Sequence, residues 1–248
     1  MAYQGINILI GNACDMHCPY CLQTGTDVPA NRPADLEVFA RMLAHHLGSE
    51  MPRRIVIWGG EPMVYWSKIK KLIAALSEHG IAPEQGWFIT TNGRKMTDEY
   101  VAYANAHPIW TIVSSHDWQL PQVQWNRIAL LDRFSISAII HRQHLTFWDF
   151  RRRYYEFEDR YGFKPRFYLH FLRANDGCSP EFYMTKADVD ALCRHLLDDV
   201  VTLARLGDDW AKWQCAQLLI ERRKEIAKGT GEKCVRSDRL SVDLHGNI

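Results

Sequence analysis

Three cysteines, Cys14, Cys18 and Cys21, stand within eight residues of one another in the segment GNACDMHCPYCLQ. Iron–sulfur clusters are held by cysteine thiolates, usually four of them. A loop with three can hold a 4Fe-4S cluster by three of its irons and leave the fourth open to a substrate or cofactor. Other thiol chemistries fit the spacing less well. Structural zinc takes four protein ligands, and the next cysteine, Cys178, lies far along the chain. His17 offers a fourth ligand, but its place between Cys14 and Cys18 makes a tetrahedral closure awkward. Seven cysteines is an odd number, and MAYQGINILIG has neither the n-region nor the h-region of a secretory leader, which argues against a disulfide framework. A cluster site is the leading reading, with zinc and incidental cysteines as its alternatives.

The elements that must position this loop follow from the hydrophobic pattern. INILI reads as a first strand, so the cysteines fall just past its C-terminal end. Leu36, Phe39, Ala40, Leu43 and Leu47 recur at helical spacing, with Gly48 as the stop. RRIVIW is a buried strand ending at Gly59-Gly60; Ile69, Leu72, Ile73 and Leu76 form the next helix face, closed by Gly80. GWFIT is the third strand, and Thr97 is the N-cap of a third helix. IWTIVS and RFSISAII follow as strands four and five, with a helix around Gln122 to Leu131 between them. Thr146 with Asp149 opens a fifth helix in a capping-box pattern, and PRFYLHF is the sixth strand. Thr185 with Asp188 repeats that pattern before a long helix with the stripe Val189, Leu192, Cys193, Leu196 and Val200. A last helix runs from about Asp208 to Lys228. Strands alternating with helices predict an α/β fold with a parallel sheet. Six β/α units fall short of the eight in a closed barrel, so the expectation is a partial (β/α)6 TIM-like barrel. In such sheets functional loops lie at the C-terminal strand ends.

Composition narrows the function. Thirty basic against twenty-nine acidic residues give a net charge of +1, so no charge footprint argues for nucleic acid or an anionic membrane surface. The apolar runs are far short of the ~20 residues a membrane span needs. A soluble, cytoplasmic protein with reduced thiols is expected.

With these motifs in place, the sequence resembles the radical S-adenosylmethionine (radical SAM) superfamily. Its signature is a CxxxCxxC loop after strand one, here with Tyr20 as the aromatic before the third cysteine. Its second hallmark is a Gly-Gly-Glu motif after strand two, matched by Gly59, Gly60 and Glu61 in WGGEP. TTNG after strand three and SSHD after strand four are similar to the family pattern at those places. The resemblance covers residues 3 to about 175.

It implies that a 4Fe-4S cluster on Cys14, Cys18 and Cys21 binds S-adenosyl-L-methionine at its open iron. Glycines let backbone approach a ligand without a Cβ in the way, and Glu61 would offer a carboxylate to the methionyl ammonium. Ser114 and Ser115 match hydroxyls that contact the ribose, with local backbone bonding as the alternative. Arg142 matches an arginine that contacts the cofactor carboxylate in some members, with an exposed loop arginine as the alternative. Asn92 shapes the turn before Gly93 and is a cofactor contact only by this resemblance. Cys193 and Cys215 sit on apolar stripes and read as core. Cys178, in RANDGCSPEF beyond strand six, is a candidate catalytic thiol or a plain loop residue. Trp118 and Trp125 follow strand four and could line a substrate mouth.

The tail KCVRSDRLSVDLHGNI resembles the start of the auxiliary-cluster region called SPASM or twitch. Cys234 and Gly246, with eleven residues between them, begin its pattern, while its second cysteine would fall beyond Ile248. RLSVDLHGN also reads independently as a strand running into a turn. The expected organisation is a radical SAM core over 1–206, then a helical linker and an incomplete SPASM/twitch-like extension over 207–248. Cys234 is its possible auxiliary ligand, and the segment after about Gly229 is expected to pack loosely. The implied activity is reductive cleavage of S-adenosylmethionine and hydrogen abstraction from a peptide or protein. The implied electron donor is of the flavodoxin or ferredoxin kind. Action on a small molecule, activation of a glycyl-radical enzyme, and a non-catalytic iron–sulfur or zinc module are the alternatives.

Overall fold

The computed structural model describes residues 5–21, 35–114, 120–142, 147–171, 180–182, 185–195, 199–216 and 239–244. The strands are β1 (Gly5–Leu9), β2 (Ile55–Trp58), β3 (Trp87–Thr91), β4 (Ile109–Ser114), β5 (Phe134–Ile140), β6 (Arg166–Phe171) and β7 (Arg239–Asp243). Helices α1 (Leu36–Leu47), α2 (Trp66–Glu78), α3 (Asp98–Ala106), α4 (Gln122–Ala129), α5 (Phe147–Tyr161), α6 (Lys186–His195) and α7 (Val201–Arg205) alternate with them. The chain divides into two compact units, 1–136 with 236–248, and 137–235. Among the described residues no helix is long and apolar enough to cross a membrane.

In the first unit the strands run in the order β4-β3-β2-β1-β7, and every pair is parallel. The α/β alternation is thus as the sequence predicts. One strand face is fully covered: Ile6, Ile8, Ile55, Ile57, Ile89 and Thr111 are each 0% exposed. Burying an isoleucine side chain contributes roughly 1.5–3 kcal/mol, so this layer is a substantial part of the core. Helices cover that face, as the bond between Tyr100 of α3 and Thr111 of β4 marks (2.7 Å). The opposite residues, Val56, Trp58, Phe88, Trp110 and Ile112, are half-buried.

The helices begin and end where local chemistry directs. Asp35 caps α1 by accepting from the N–H groups of Glu37 and Val38, and Phe39, Ala40, Leu43 and Leu47 form its buried stripe. Thr97 caps α3 through the Tyr100 N–H (3.1 Å). The α1 stripe and the Thr97 cap match the sequence reading, because caps and stripes are local features.

The tail differs from expectation. A strand at RLSVD is predicted, but not its partner: β7 lies beside β1 in parallel, with Gly5 opposite Arg239 and Leu9 opposite Asp243. Leu240, Val242 and Leu244 are buried, and Asn7 donates to the Ser241 hydroxyl (3.3 Å). Residues 239–244 are therefore not loosely packed. Their apolar side chains gain burial and their backbone satisfies an edge of β1 that would otherwise stand open.

In the second unit β6 lies beside β5, and Phe150, Tyr154, Phe157 and Phe167 form the core with Trp210 and Ala211. Asp208 caps a helix over 209–216 by accepting from Ala211 N–H (2.8 Å). It also accepts from Arg151 Nε (2.9 Å) and the Tyr155 hydroxyl (3.0 Å). The Thr185–Asp188 capping box forms in both directions, at 3.2 and 2.8 Å. Thr146, and the expected helix beyond residue 216, lie outside the described residues. Of the expected long helix, residues 186–195 are helical and helical residues resume at 199 and run into α7, while 196–198 lie outside the described residues.

Candidate active site

The cysteine loop leaves β1 at its C-terminal end, as the sequence predicts. Ile10 N–H still bonds to Trp58 O of β2 (2.9 Å), and the backbone then departs from the sheet. Cys14 is exposed and Cys18 and Cys21 are half-buried. Cys21 N–H closes a turn on Cys18 O (3.0 Å), and Met16 N–H points at Cys14 Sγ (3.4 Å). Burial pushes the Cys14 thiol up, and the nearby carboxylates of Glu61 and Asp15 and the thiol of Cys21 add to this, against the Met16 N–H. A metal held by this thiol would have to displace that proton.

Among the described residues no three His, Cys, Asp or Glu side chains converge on one metal ion. Thiolates that bind three different irons of one cluster have no need to converge as the ligands of a single ion do. Three soft sulfur donors on one short loop, Cys14, Cys18 and Cys21, are of the kind that would suit a 4Fe-4S cluster. His17 is exposed and Tyr20 is buried.

The Gly-Gly-Glu segment after β2 lies directly against this loop. Gly60 N–H donates to Gly11 O, and Glu61 N–H donates to Ala13 O, both at 2.8 Å. A Cβ at Gly60 would sit 2.2 Å from Ala13 O and 2.5 Å from Asn12 O; one at Gly59 would sit 2.3 Å from Gly11 O. Gly59 also has φ of 150°, which side-chain-bearing residues rarely adopt. The glycines therefore admit the backbone of the cysteine loop itself, a reason additional to the ligand approach inferred from the motif.

Glu61 is 1% exposed. Its Oε1 accepts from Met63 N–H (2.9 Å) and the Thr91 hydroxyl (2.5 Å), and its Oε2 accepts from Asn92 N–H (2.7 Å). Desolvation raises its carboxyl above the usual range, opposed by the bonds from Thr91, Asn92 and Met63. Asn92 does shape its turn, since its Oδ1 accepts from Arg94 N–H (2.9 Å). Its Nδ2 donates to Asp15 in the cysteine loop (2.8 Å).

The sequence reading missed Tyr65, Thr91 and Asp15. Tyr65 follows Glu61 in a short 3-10 turn over Pro62–Tyr65, and its hydroxyl accepts from Ala13 N–H (2.6 Å). The only signal for Asp15 was its place inside the cysteine motif. For Tyr65→Phe, the Ala13 N–H loses its acceptor in a half-buried place, at a cost of about 1–3 kcal/mol. Denaturant unfolding of the two iron-free proteins checks this; an unchanged midpoint would mean water replaces the hydroxyl at no cost.

Other sequence candidates lie elsewhere or outside the description. Ser114 is half-buried at the end of β4, while Ser115 and Trp118 are outside the described residues; Trp125 is half-buried on α4. Arg142, in the second unit, is exposed and faces Asp188 (3.4 Å). Cys215 is half-buried with its thiol 4.0 Å from Val200 O, and desolvation raises its pKa. Cys193 lies on α6, but its side chain, like Cys178, Cys234 and Gly246, falls outside the described residues.

Comparison with known proteins agrees with this arrangement. Residues 8–111 match the model of the radical SAM superfamily, and no curated protein matches the chain. Streptococcus suis SuiB bound to S-adenosylmethionine is similar in fold, with a TM-score of 0.60 and 18% identity over 81% of this chain and 48% of its own. Native anSMEcpe with bound AdoMet and the Kp18Cys peptide has a TM-score of 0.61 and 14% identity over 82% of this chain and 62% of its own. SuiB bound to its precursor peptide SuiA gives 0.59 and 18% over 81% and 47%. This chain thus spans about half to three-fifths of the length of those structures. Over residues 8–111 the chain is therefore similar to the radical SAM superfamily, and over most of its length it shares a fold with these solved structures.

Proposed function

We propose that this protein reductively cleaves S-adenosylmethionine and abstracts hydrogen from a peptide or protein substrate. The observation that carries the reading is the pair of 2.8 Å backbone bonds joining Gly60 and Glu61 to Gly11 and Ala13. They hold the cysteine loop and the Gly-Gly-Glu segment, about forty residues apart in sequence, side by side at the ends of β1 and β2. When bound and reduced, a 4Fe-4S cluster supplies the electron that splits the sulfonium into methionine and a 5′-deoxyadenosyl radical.

The chain's own part is to hold and orient. Cys14, Cys18 and Cys21 hold the cluster and leave one iron open. Glu61 already accepts three hydrogen bonds, and an ionised carboxylate has about four lone-pair sites, so one remains for the methionyl ammonium. Glu61→Ala is expected to weaken S-adenosylmethionine binding by roughly ten- to hundredfold, the loss of a charge-assisted bond of ~1.5–3 kcal/mol. Equilibrium binding to the reconstituted protein reads this, and an unchanged dissociation constant would confine Glu61 to holding the loop. Ser114, Ser115 and Arg142 are proposed as further cofactor contacts, and Cys178 as a substrate-facing thiol.

Support for a peptide substrate comes from SuiB, seen with its precursor peptide, and anSMEcpe, seen with the Kp18Cys peptide. A SPASM/twitch-type subgroup, an auxiliary role for Cys234, a flavodoxin- or ferredoxin-like donor and a cytoplasmic setting belong to the same proposal. Anaerobic reconstitution followed by reduction in the presence of S-adenosylmethionine tests it. Release of 5′-deoxyadenosine and methionine is expected; a colourless, zinc-containing protein without cleavage would refute it.

A further inference from the structure

We propose that Asp15 and Asn92 are positioning residues whose side-chain pair clasps the cysteine loop to the end of β3. The inference rests on the reading of Cys14, Cys18 and Cys21 as cluster ligands and deepens it. The clasp is a closed ring of hydrogen bonds. Ala13 O accepts from Glu61 N–H (2.8 Å), the Glu61 carboxylate accepts from Asn92 N–H (2.7 Å), and Asn92 Nδ2 donates to Asp15 Oδ1 (2.8 Å). The ring begins at Ala13 and returns at Asp15, so the residue it encloses is Cys14. Ala13 is pinned a second time by its own N–H on Tyr65.

Each member is suited to its place. The Asn92 amide uses both ends, accepting from Arg94 N–H and donating to Asp15, which no acceptor-only or apolar side chain can do. Asp15 presents a carboxyl oxygen as the acceptor, and Arg94 Nε stands 3.8 Å from its other oxygen. The Asp15 side chain is 20% exposed on an exposed stretch of the loop, so the bond forms within reach of water. Of the links in the ring, this pair is made by two side chains alone, and it can be reversed without altering the backbone.

Reversal is the test. Asn92→Asp sets two carboxylates against each other and opens the ring. Adding Asp15→Asn restores a donor–acceptor pair in the opposite sense, and the carboxylate at position 92 still accepts from Arg94 N–H. Amide hydrogen exchange across residues 12–16 of the iron-free protein is expected to quicken about tenfold in Asn92→Asp. It should return to within about threefold of the native rate in the double variant. Loss of iron to a chelator from the reconstituted proteins should follow the same order. Native-like exchange in Asn92→Asp, or a double variant no better than the single one, would overturn the clasp. A native protein that takes up no iron while exchange follows the stated order would keep the clasp and refute the cluster reading.

Discussion

Gly60→Ala is expected to prevent cluster assembly. The added methyl would lie 2.2 Å from Ala13 O and 2.5 Å from Asn12 O, and both are backbone atoms of the loop that carries Cys14. No side chain can rotate out of the way, so the loop or the turn after β2 must move. Overpacking of this kind costs about 1–3 kcal/mol when the surroundings yield, and here yielding breaks the bonds from Gly60 to Gly11 and from Glu61 to Ala13. Iron after anaerobic reconstitution should fall from about four to below about one per chain. Gly48→Ala is the control. It has φ of 58° with nothing within 4 Å of the added carbon, so it strains the backbone by roughly 1–2 kcal/mol but leaves the site untouched. Full iron in Gly60→Ala would show that close approach of the two motifs is not required.

Replacing Cys14, Cys18 or Cys21 by alanine is expected to remove most of the iron, the ~400 nm absorbance of thiolate-bound clusters, and all cleavage of S-adenosylmethionine. Three ligands already leave one iron open, and two cannot hold the cube against exchange with solvent. Cys215→Ala should change none of these readings, because its thiol is raised by desolvation and lies 4.0 Å from a backbone carbonyl. If Cys18→Ala keeps a full cluster and full cleavage, the three-cysteine assignment is wrong.

Much of this site is legible in the sequence because its signals are local. The cysteine spacing, the glycines after IVIW, the Thr97 cap and the stripe of Phe39, Ala40, Leu43 and Leu47 each involve residues within a few turns of one another. What escapes the sequence is contact over long separations. Asp15 and Asn92 stand 77 positions apart, and their pairing follows only once β1, β2 and β3 are known to be neighbours in that order. Tyr65 looks like an ordinary first-turn aromatic until its hydroxyl is seen beneath Ala13. The strand at Arg239–Asp243 is readable from its alternating pattern, but not its place beside β1, because an alternating strand fits any open edge. From the sequence, the glycines of WGGEP make room for a ligand. The structure shows that one occupant of that space is the backbone of the protein itself.

The most direct test of the central claim is the low-temperature electron paramagnetic resonance spectrum of the reduced, reconstituted protein with and without S-adenosylmethionine. If Cys14, Cys18 and Cys21 hold a cluster with one iron open to the ligand, as proposed, its addition should change the cluster's g-values and line shape. The same change should be weakened in Glu61→Ala at equal ligand concentration. A reduced cluster whose spectrum is identical in the presence of saturating S-adenosylmethionine would contradict the claim.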